Sequence, residues 1–257
     1  MGAEDDDFAA RWKQALNGKA ILSRALDLVL PREDLDGETG VGAHGLPAEA
    51  WSRIRFLDGP LCDGCGAPFD YDPGPGVRCP ACMARPRAFD AARAACLYDE
   101  ASRDPILMLK HGDRTDLAPM FARWISRAAA ELLEEADAVA PVPLHPLRLL
   151  RRRYNQAAEI ARPLAKLSGV AYLPDALVRR RATETQAGKS GAHRRRNMAG
   201  AFHVPDRRRA QIEGRRILLI DDVLTTGATA EGCARALKRA GAARVDLAVL
   251  ARVKEAA

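Results

Sequence analysis

Ile217-Leu218-Leu219-Ile220-Asp221-Asp222-Val223-Leu224-Thr225-Thr226-Gly227-Ala228-Thr229 is the stretch that decides the fold. Ile217–Ile220 reads as a strand buried on both faces, as in parallel sheets covered by helices. Two carboxylates follow, then a Thr/Gly loop. From Thr229 to Ala240 a helical pattern runs until Gly241 stops it. In an open α/β sheet, ligands bind outside the carboxyl ends of the strands. A loop that enters a helix N-terminus offers free N–H groups and a positive dipole end, which suits a phosphate. Thr225, Thr226 and Thr229 add hydroxyl donors, Ala228 opens the way into the helix, and Gly227 lets the backbone come close. The Gly-Lys-Ser/Thr ending of a nucleotide P-loop is missing. Asp221 and Asp222 repel a phosphate and suit sugar hydroxyls or a magnesium ion. A ligand with a phosphate beside a hydroxylated sugar satisfies both halves. A plain strand-to-helix turn would also use Thr and Asp, but capping does not call for two consecutive acids ahead of the loop.

Outward from this stretch, apolar runs alternate with helical patterns. Ala91–Tyr98 is an apolar run, followed by Ile106–Lys110. A helix is expected from Asp116, as its N-cap, to Glu135. Ala138–Val142 reads as a short strand, Gln156–Leu167 as a helix and Val245–Ala251 as a final strand. Strands alternating with helices predict an α/β fold with a parallel sheet. At the other end, Phe8, Trp12, Leu16, Ile21, Leu22, Leu26 and Val29 recur at helical spacing over 8–30, and Pro31 ends that helix. Residues 31–49 are rich in Gly, Asp and Glu and read as a linker.

Leu61–Pro86 is dense in Cys, Gly and Pro, so no regular element is expected there. Cys62-x2-Cys65-x13-Cys79-x2-Cys82 places two knuckles a short loop apart. Four thiolates at this spacing converge on one zinc ion, and Gly64 and Gly66 permit the tight turns. With all four positions filled by protein, such a site is structural. The alternative, four reduced thiols in a small core, lacks apolar neighbours in this segment. Cys96 and Cys233 sit in apolar contexts and read as buried hydrophobes.

The 257 residues are 47% hydrophobic and 29% charged, enough apolar material for a core, which excludes wholesale disorder. No apolar run approaches the roughly 18 residues of a membrane span. The acidic Glu4–Asp7 stands where a signal peptide is basic, so a cytoplasmic location is expected. The net charge of +6 is uneven: residues 141–216 carry 18 Lys+Arg and 5 Asp+Glu, so 18 − 5 = +13, leaving −7 elsewhere. Arg151–Arg153, Arg179–Arg181, Arg194–Arg196 and Arg207–Arg209 form clusters. Such a field draws in phosphates of a metabolite or of nucleic acid. A solvated Arg-rich face gives the same pattern.

Asp221–Thr229 resembles the phosphoribosyl-pyrophosphate motif of type I phosphoribosyltransferases. Further segments resemble the ComF/GntX family of competence-related proteins. These are Leu109-Lys110-His111-Gly112-Asp113, Pro141–Pro146, Arg153-Tyr154-Asn155-Gln156, Arg181-x-Thr183-x-x-Gln186 and Arg196-Asn197-x-x-Gly200-Ala201-Phe202. The resemblance covers about 60–253. It implies a type I phosphoribosyltransferase fold, a Rossmann-like parallel sheet, with an N-terminal helix and a small zinc ribbon. The expected units are an N-terminal helix and degenerate ribbon or linker (1–58), the zinc ribbon (59–87) and the phosphoribosyltransferase-like domain (88–257). The resemblance further implies that Asp221 and Asp222 hold the ribose hydroxyls, directly or through magnesium. It assigns Thr225–Thr229 to the 5-phosphate and Pro143, Leu144 and His145 to the pyrophosphate. It gives Arg181, Gln186, Lys189, Arg196 and Asn197 to a flap over the site. An upstream ribbon common in the family lacks cysteines here. The function implied is binding of phosphoribosyl pyrophosphate, with single-stranded DNA and other DNA-uptake proteins as partners in natural transformation. Transfer of phosphoribose to a base or amine and a non-catalytic sensor or scaffold are the alternatives, and no acceptor or catalytic residue is legible.

Overall fold

The structure, a computed structural model, describes residues 46, 48–111, 114–145, 149–150, 152–179 and 200–254. The expected helix over 8–30, the linker up to residue 45 and the flap residues Arg181, Gln186, Lys189, Arg196 and Asn197 lie outside these residues.

The elements in chain order are α1 (Ala48–Ser52), α2 (Pro80–Ala84), β1 (Ala92–Leu97) and α3 (Glu100–His111). Next come a 3-10 turn (Thr115–Leu117), α4 (Ala118–Ala128), α5 (Ala130–Glu135), β2 (Ala138–Pro141), α6 (Gln156–Ser168) and β3 (Ala171–Tyr172). The chain closes with β4 (Val178–Arg179), β5 (Phe202–His203), a 3-10 helix (Asp206–Gln211), β6 (Arg216–Leu224), α7 (Ala228–Arg239) and β7 (Arg244–Arg252). A five-stranded sheet has the order β1-β7-β6-β2-β3, and every neighbouring pair is parallel. β4 and β5 form a separate antiparallel pair.

Strand alternation splits the core into two layers. Ile217 and Leu219 join Phe202, Cys233 and Leu237 on one face of the sheet, while Leu218 and Ile220 join Phe121, Ile125 and Ile160 on the other. β6 is therefore covered by α7 on one side and by α4 and α6 on the other, and its apolar run follows from that double burial.

Several elements depart from the sequence reading. β6 extends through both acids to Leu224, because β7 runs beside it that far: Asp221 pairs with Val249 and Leu224 with Arg252. α7 begins one residue earlier than expected, at Ala228, on Gly227 in the left-handed region (φ 77°), and ends at Arg239. β2 stops at Pro141. The expected helix from Asp116 to Glu135 is three pieces. Asp116 does not cap it; Arg114 grips that carboxylate at 2.8 and 2.7 Å. The break falls at Ala129 (φ −119°, ψ 28°). In the Pro/Gly-rich segment, α2 supplies one helical turn starting at Pro80, where a missing N–H costs nothing. The run Ile106–Lys110 belongs to the longer α3, which tolerates Pro105. Its start is fixed by Ser102 N–H donating to Asp99 Oδ1 at 3.1 Å and Asp99 N–H donating to Ser102 Oγ at 3.0 Å.

Cys96 and Cys233 are fully buried, as expected. β1 is an edge strand, and residues 55–57 cover it: Leu97 N–H donates to Arg55 O and Leu57 N–H to Ala95 O. Trp51 and Phe56 carry this segment onto Trp124, with ring centroids 5.1 and 4.9 Å away.

Candidate functional site

The strand order creates a crevice. From β2 the chain moves outward to the edge strand β3; from β6 it moves the other way to β7. Adjacent strands whose connections leave in opposite directions open a gap at their carboxyl ends, where α/β sheets bind ligands. Pro141 and Ile220 are register partners, and Val142 N–H donates to Ile220 O at 2.9 Å. The two segments singled out in the sequence, Pro143–His145 after β2 and Asp221–Thr229 along β6 and α7, therefore flank one crevice.

Consecutive strand residues point to opposite faces. Asp221 turns its Oδ1 back to accept the Asp222 N–H at 2.9 Å. Burial, with Asp222 adding to it, pushes the Asp221 carboxyl up to about 7, against the pull of Lys110 and Arg179. Asp222 forms an ion pair with Lys110, Oδ2 to Nζ 3.2 Å. Lys110 comes from the end of α3, and the Arg153–Gln156 motif holds it there. Tyr154 hydroxyl donates to Leu109 O, Gln156 Nε2 donates to Lys110 O at 3.4 Å, and Asn155 Nδ2 donates to Val142 O at 2.9 Å. Asn155 also caps α6 by accepting from Ala157 N–H. The motif thus ties α3, β2 and α6 together beside the acids.

The loop Thr225–Gly227 leads into α7. Thr225 is exposed, Thr226 and Thr229 are partly buried, and Gly227 and Ala228 are buried. Arg87 Nη1 donates to Thr226 O at 2.9 Å and lies 3.3 Å from Glu231 Oε1. A Cβ on Gly227 would stand 3.3 Å from that same nitrogen. Glu231, on the first turn of α7 and 1% exposed, also receives Arg85 at 3.0 Å and Arg235 at 3.2 Å.

The four cysteines converge. One ligand atom from each of Cys62, Cys65, Cys79 and Cys82 lies within 4.8 Å of the others. The Sγ atoms of Cys65 and Cys79 are 3.7 Å apart. A tetrahedral zinc with sulfurs at about 2.3 Å spaces them about 3.8 Å from one another, so the residues fit the ion. The N–H groups of Cys79 and Cys65 point at Cys62 Sγ, at 3.2 and 3.5 Å. Burial raises the Cys62 thiol, but those donors and Gly64 outweigh it and bring it down to about 7. Gly66 (φ 66°) is held against β1, where a Cβ would stand 2.5 Å from Ala92 O. Arg252 Nη1 donates to Cys65 O at 2.6 Å.

Lys110, Arg87, Glu231 and Arg179 were not singled out as site residues by their own pattern. Lys110 lies in a segment that matched the family, which is the signal that pointed to it. Arg179 is buried, with its guanidinium 5.4 Å from the Phe202 ring, so it leaves the solvated cluster its neighbours suggested. Arg207 and Arg208 pair with Asp175, and Arg209 is exposed.

The fold and crevice define a type I phosphoribosyltransferase domain: residues 147–257 match the family model described as a phosphoribosyl transferase domain. The chain belongs to the ComF/GntX family. The DNA utilization protein YhgH of Escherichia coli K12 is 31% identical over 206 residues, 78% of this chain and 88% of its own. The Competence protein F of Haemophilus influenzae is 29% identical over 236 residues, 84% of this chain and 94% of its own. Among solved structures, the glutamine phosphoribosylpyrophosphate amidotransferase of B. subtilis is 25% identical with a TM-score of 0.34, covering 53% of this chain and 26% of that enzyme. Among the described residues no helix is long and apolar enough to cross a membrane.

Two measurements check this geometry. Elemental analysis of purified protein is expected to give one zinc per chain; a content well below one with unaltered thermal stability overturns the zinc assignment. Asp221 binds its proton more tightly folded, about 7 against an ordinary 3.8. The stability gained from the protonated form is full below the ordinary value and lost as pH rises through about 7. In metal-free buffer, Asp221→Asn is expected to melt higher than the parent at pH 8, by a margin that shrinks as pH falls and closes only below the ordinary carboxyl value of 3.8. Parallel melting profiles would contradict the burial of that carboxyl.

Proposed function

We propose that the protein binds phosphoribosyl pyrophosphate with magnesium in the crevice between β2 and β6, and that it handles single-stranded DNA during DNA uptake. The observation that carries the first half is the convergence, at one topological switch point, of an acidic strand end and a Thr/Gly loop opening a helix. On this reading Asp221 and Asp222 take the ribose hydroxyls, directly or through magnesium. Thr225, Thr226, Gly227, Ala228 and Thr229 wrap the 5-phosphate, with the α7 N–H groups and dipole behind them. Pro143, Leu144 and His145 face the pyrophosphate, and the flap around Arg181, Gln186, Lys189, Arg196 and Asn197 supplies further cations. Magnesium, when bound, neutralises the pyrophosphate; ionised Asp221 and Asp222 are what hold it, so its binding strengthens as pH rises through 7. Residues 88–257 form the ligand-binding domain, 59–87 a zinc module and 1–58 the lead-in. We place the protein in the cytoplasm, where the cysteine-box thiols stay reduced.

The second half rests on the +13 charge of residues 141–216 and on the names of the relatives, which refer to DNA utilization and competence. Phosphoribosyl transfer to a base or amine uses the same crevice; release of pyrophosphate with candidate acceptors separates transfer from binding alone.

Calorimetry with phosphoribosyl pyrophosphate, with and without magnesium, tests the site. The Asp221→Asn/Asp222→Asn double variant is expected to lose at least ~10-fold in affinity, since removing both charges removes the cation's ligands. Wild-type affinity in that variant overturns the assignment. For DNA, log affinity for single-stranded oligonucleotides should fall with log salt by about 0.7 per phosphate neutralised, alike for all sequences. Neutralising Arg194, Arg195 and Arg196 should flatten that slope; a flat response in the parent protein overturns the DNA reading.

A further inference from the structure

The cysteine box and the phosphate loop are separate in sequence, yet one short chain of polar contacts joins them. Cys82 lies in α2, and Arg85 caps that helix, its N–H donating to Ala81 O at 3.0 Å. Arg85 and Arg87 leave the box side by side and both end on Glu231. Arg87 makes a second bond, to the Thr226 carbonyl. Glu231 closes the ring, since its N–H donates to Gly227 O at 2.8 Å. Gly227 adopts the left-handed region (φ 77°) beneath the Arg87 guanidinium, where a Cβ would stand 3.3 Å from Nη1.

Two features make this arrangement more than packing. A helix N-terminus disfavours cations, yet Arg85 and Arg87 are brought to the first turn of α7; the buried Glu231 carboxylate is what allows them there. The Thr226 carbonyl is a negative dipole end inside a loop meant for an anion. Arg87 holds that carbonyl, which leaves the loop N–H groups and hydroxyls free for the phosphate.

We infer that the cysteine box positions the phosphate loop through Arg87 and Glu231, so that metal in the box and ligand at the loop strengthen each other's binding. Arg87 and Glu231 are positioning residues that need not touch the ligand. The coupling is reciprocal: whatever factor the metal adds to ligand affinity, the ligand adds to metal affinity. The inference rests on the proposed binding of phosphoribosyl pyrophosphate at Thr225–Thr229.

The test follows zinc leaving the full-length zinc-loaded protein into excess chromogenic chelator, with calorimetry on the same samples. Saturating phosphoribosyl pyrophosphate with magnesium is expected to slow zinc loss about fivefold or more, the low end of ordinary coupling between sites. Arg87→Met, which keeps the stem and removes both bonds, should bring that factor to one and weaken ligand binding about tenfold. Arg235→Lys, which changes a Glu231 partner carried by α7 itself, should keep the slowing. If the ligand binds but zinc leaves at the same rate with and without it, the coupling is wrong and the binding site stands. Absence of ligand binding in the parent overturns both. The wild-type arm needs no variant, so poor folding of Arg87→Met leaves the outcome decided.

Discussion

Everything in this structure is arranged around β6, a nine-residue strand hydrogen-bonded on both edges and covered on both faces. A strand in that position has no place for a charge until it nears the rim of the sheet. The sequence obeys this: four apolar residues, then two acids where the helices and neighbouring strands begin to fall away. The constraint is not fully relaxed at the acids. Asp221 is still desolvated enough for its carboxyl to be driven toward neutrality, and Asp222 needs Lys110 beside it. Holding a carboxyl there costs folding stability, because an apolar side chain in its place would be more stable.

The same logic separates the two acids by role. Asp221 faces the α7 side, within reach of the charge on Arg179, and it raises the buried Cys233 thiol further. Asp222 faces the α3 and α6 side, where Lys110 is presented by the Arg153–Gln156 motif. One carboxylate thus has a built-in counterion and the other has burial. A cation arriving at the crevice meets Asp222 already paired, so it competes with Lys110 there, while Asp221 offers a carboxylate whose ionisation the cation itself would favour.

The sequence made the architecture legible where burial imposes periodicity. The apolar strands β1, β6 and β7 and the helices α6 and α7 come within a residue or a few of expectation because double burial and Gly punctuation leave strong local marks. What failed locally failed for tertiary reasons. Asp116 has the right residue type for a cap, but Arg114 lies close enough to take both its oxygens. The β6 strand reaches Leu224 because β7 accompanies it, which no local pattern records. The acids and the Thr/Gly loop were readable as one strand-loop-helix unit, since they are contiguous, and the structure brings them to the carboxyl end of the sheet. The Arg87–Glu231 contact spans 144 residues and the Lys110–Asp222 pair joins two distant elements, so neither leaves a mark in spacing.

The cysteine module shows how little apolar burial is available to position it. Its own cluster is the thiols with Ala67, Phe69 and little else. Its place beside β1 is instead set by directional contacts: Gly66 pressed against the Ala92 carbonyl, Arg252 reaching Cys65 O, Arg93 paired with Asp63, and Arg85 with Arg87 on Glu231. Directional contacts of this kind fix orientation only while both ends stay rigid. The sheet provides one rigid end. The module has too small a core to provide the other, and a tetrahedral ion held by the four thiolates would supply that rigidity. A metal held there would act beyond the module that binds it, because the arginines that leave the last knuckle end on the first turn of α7.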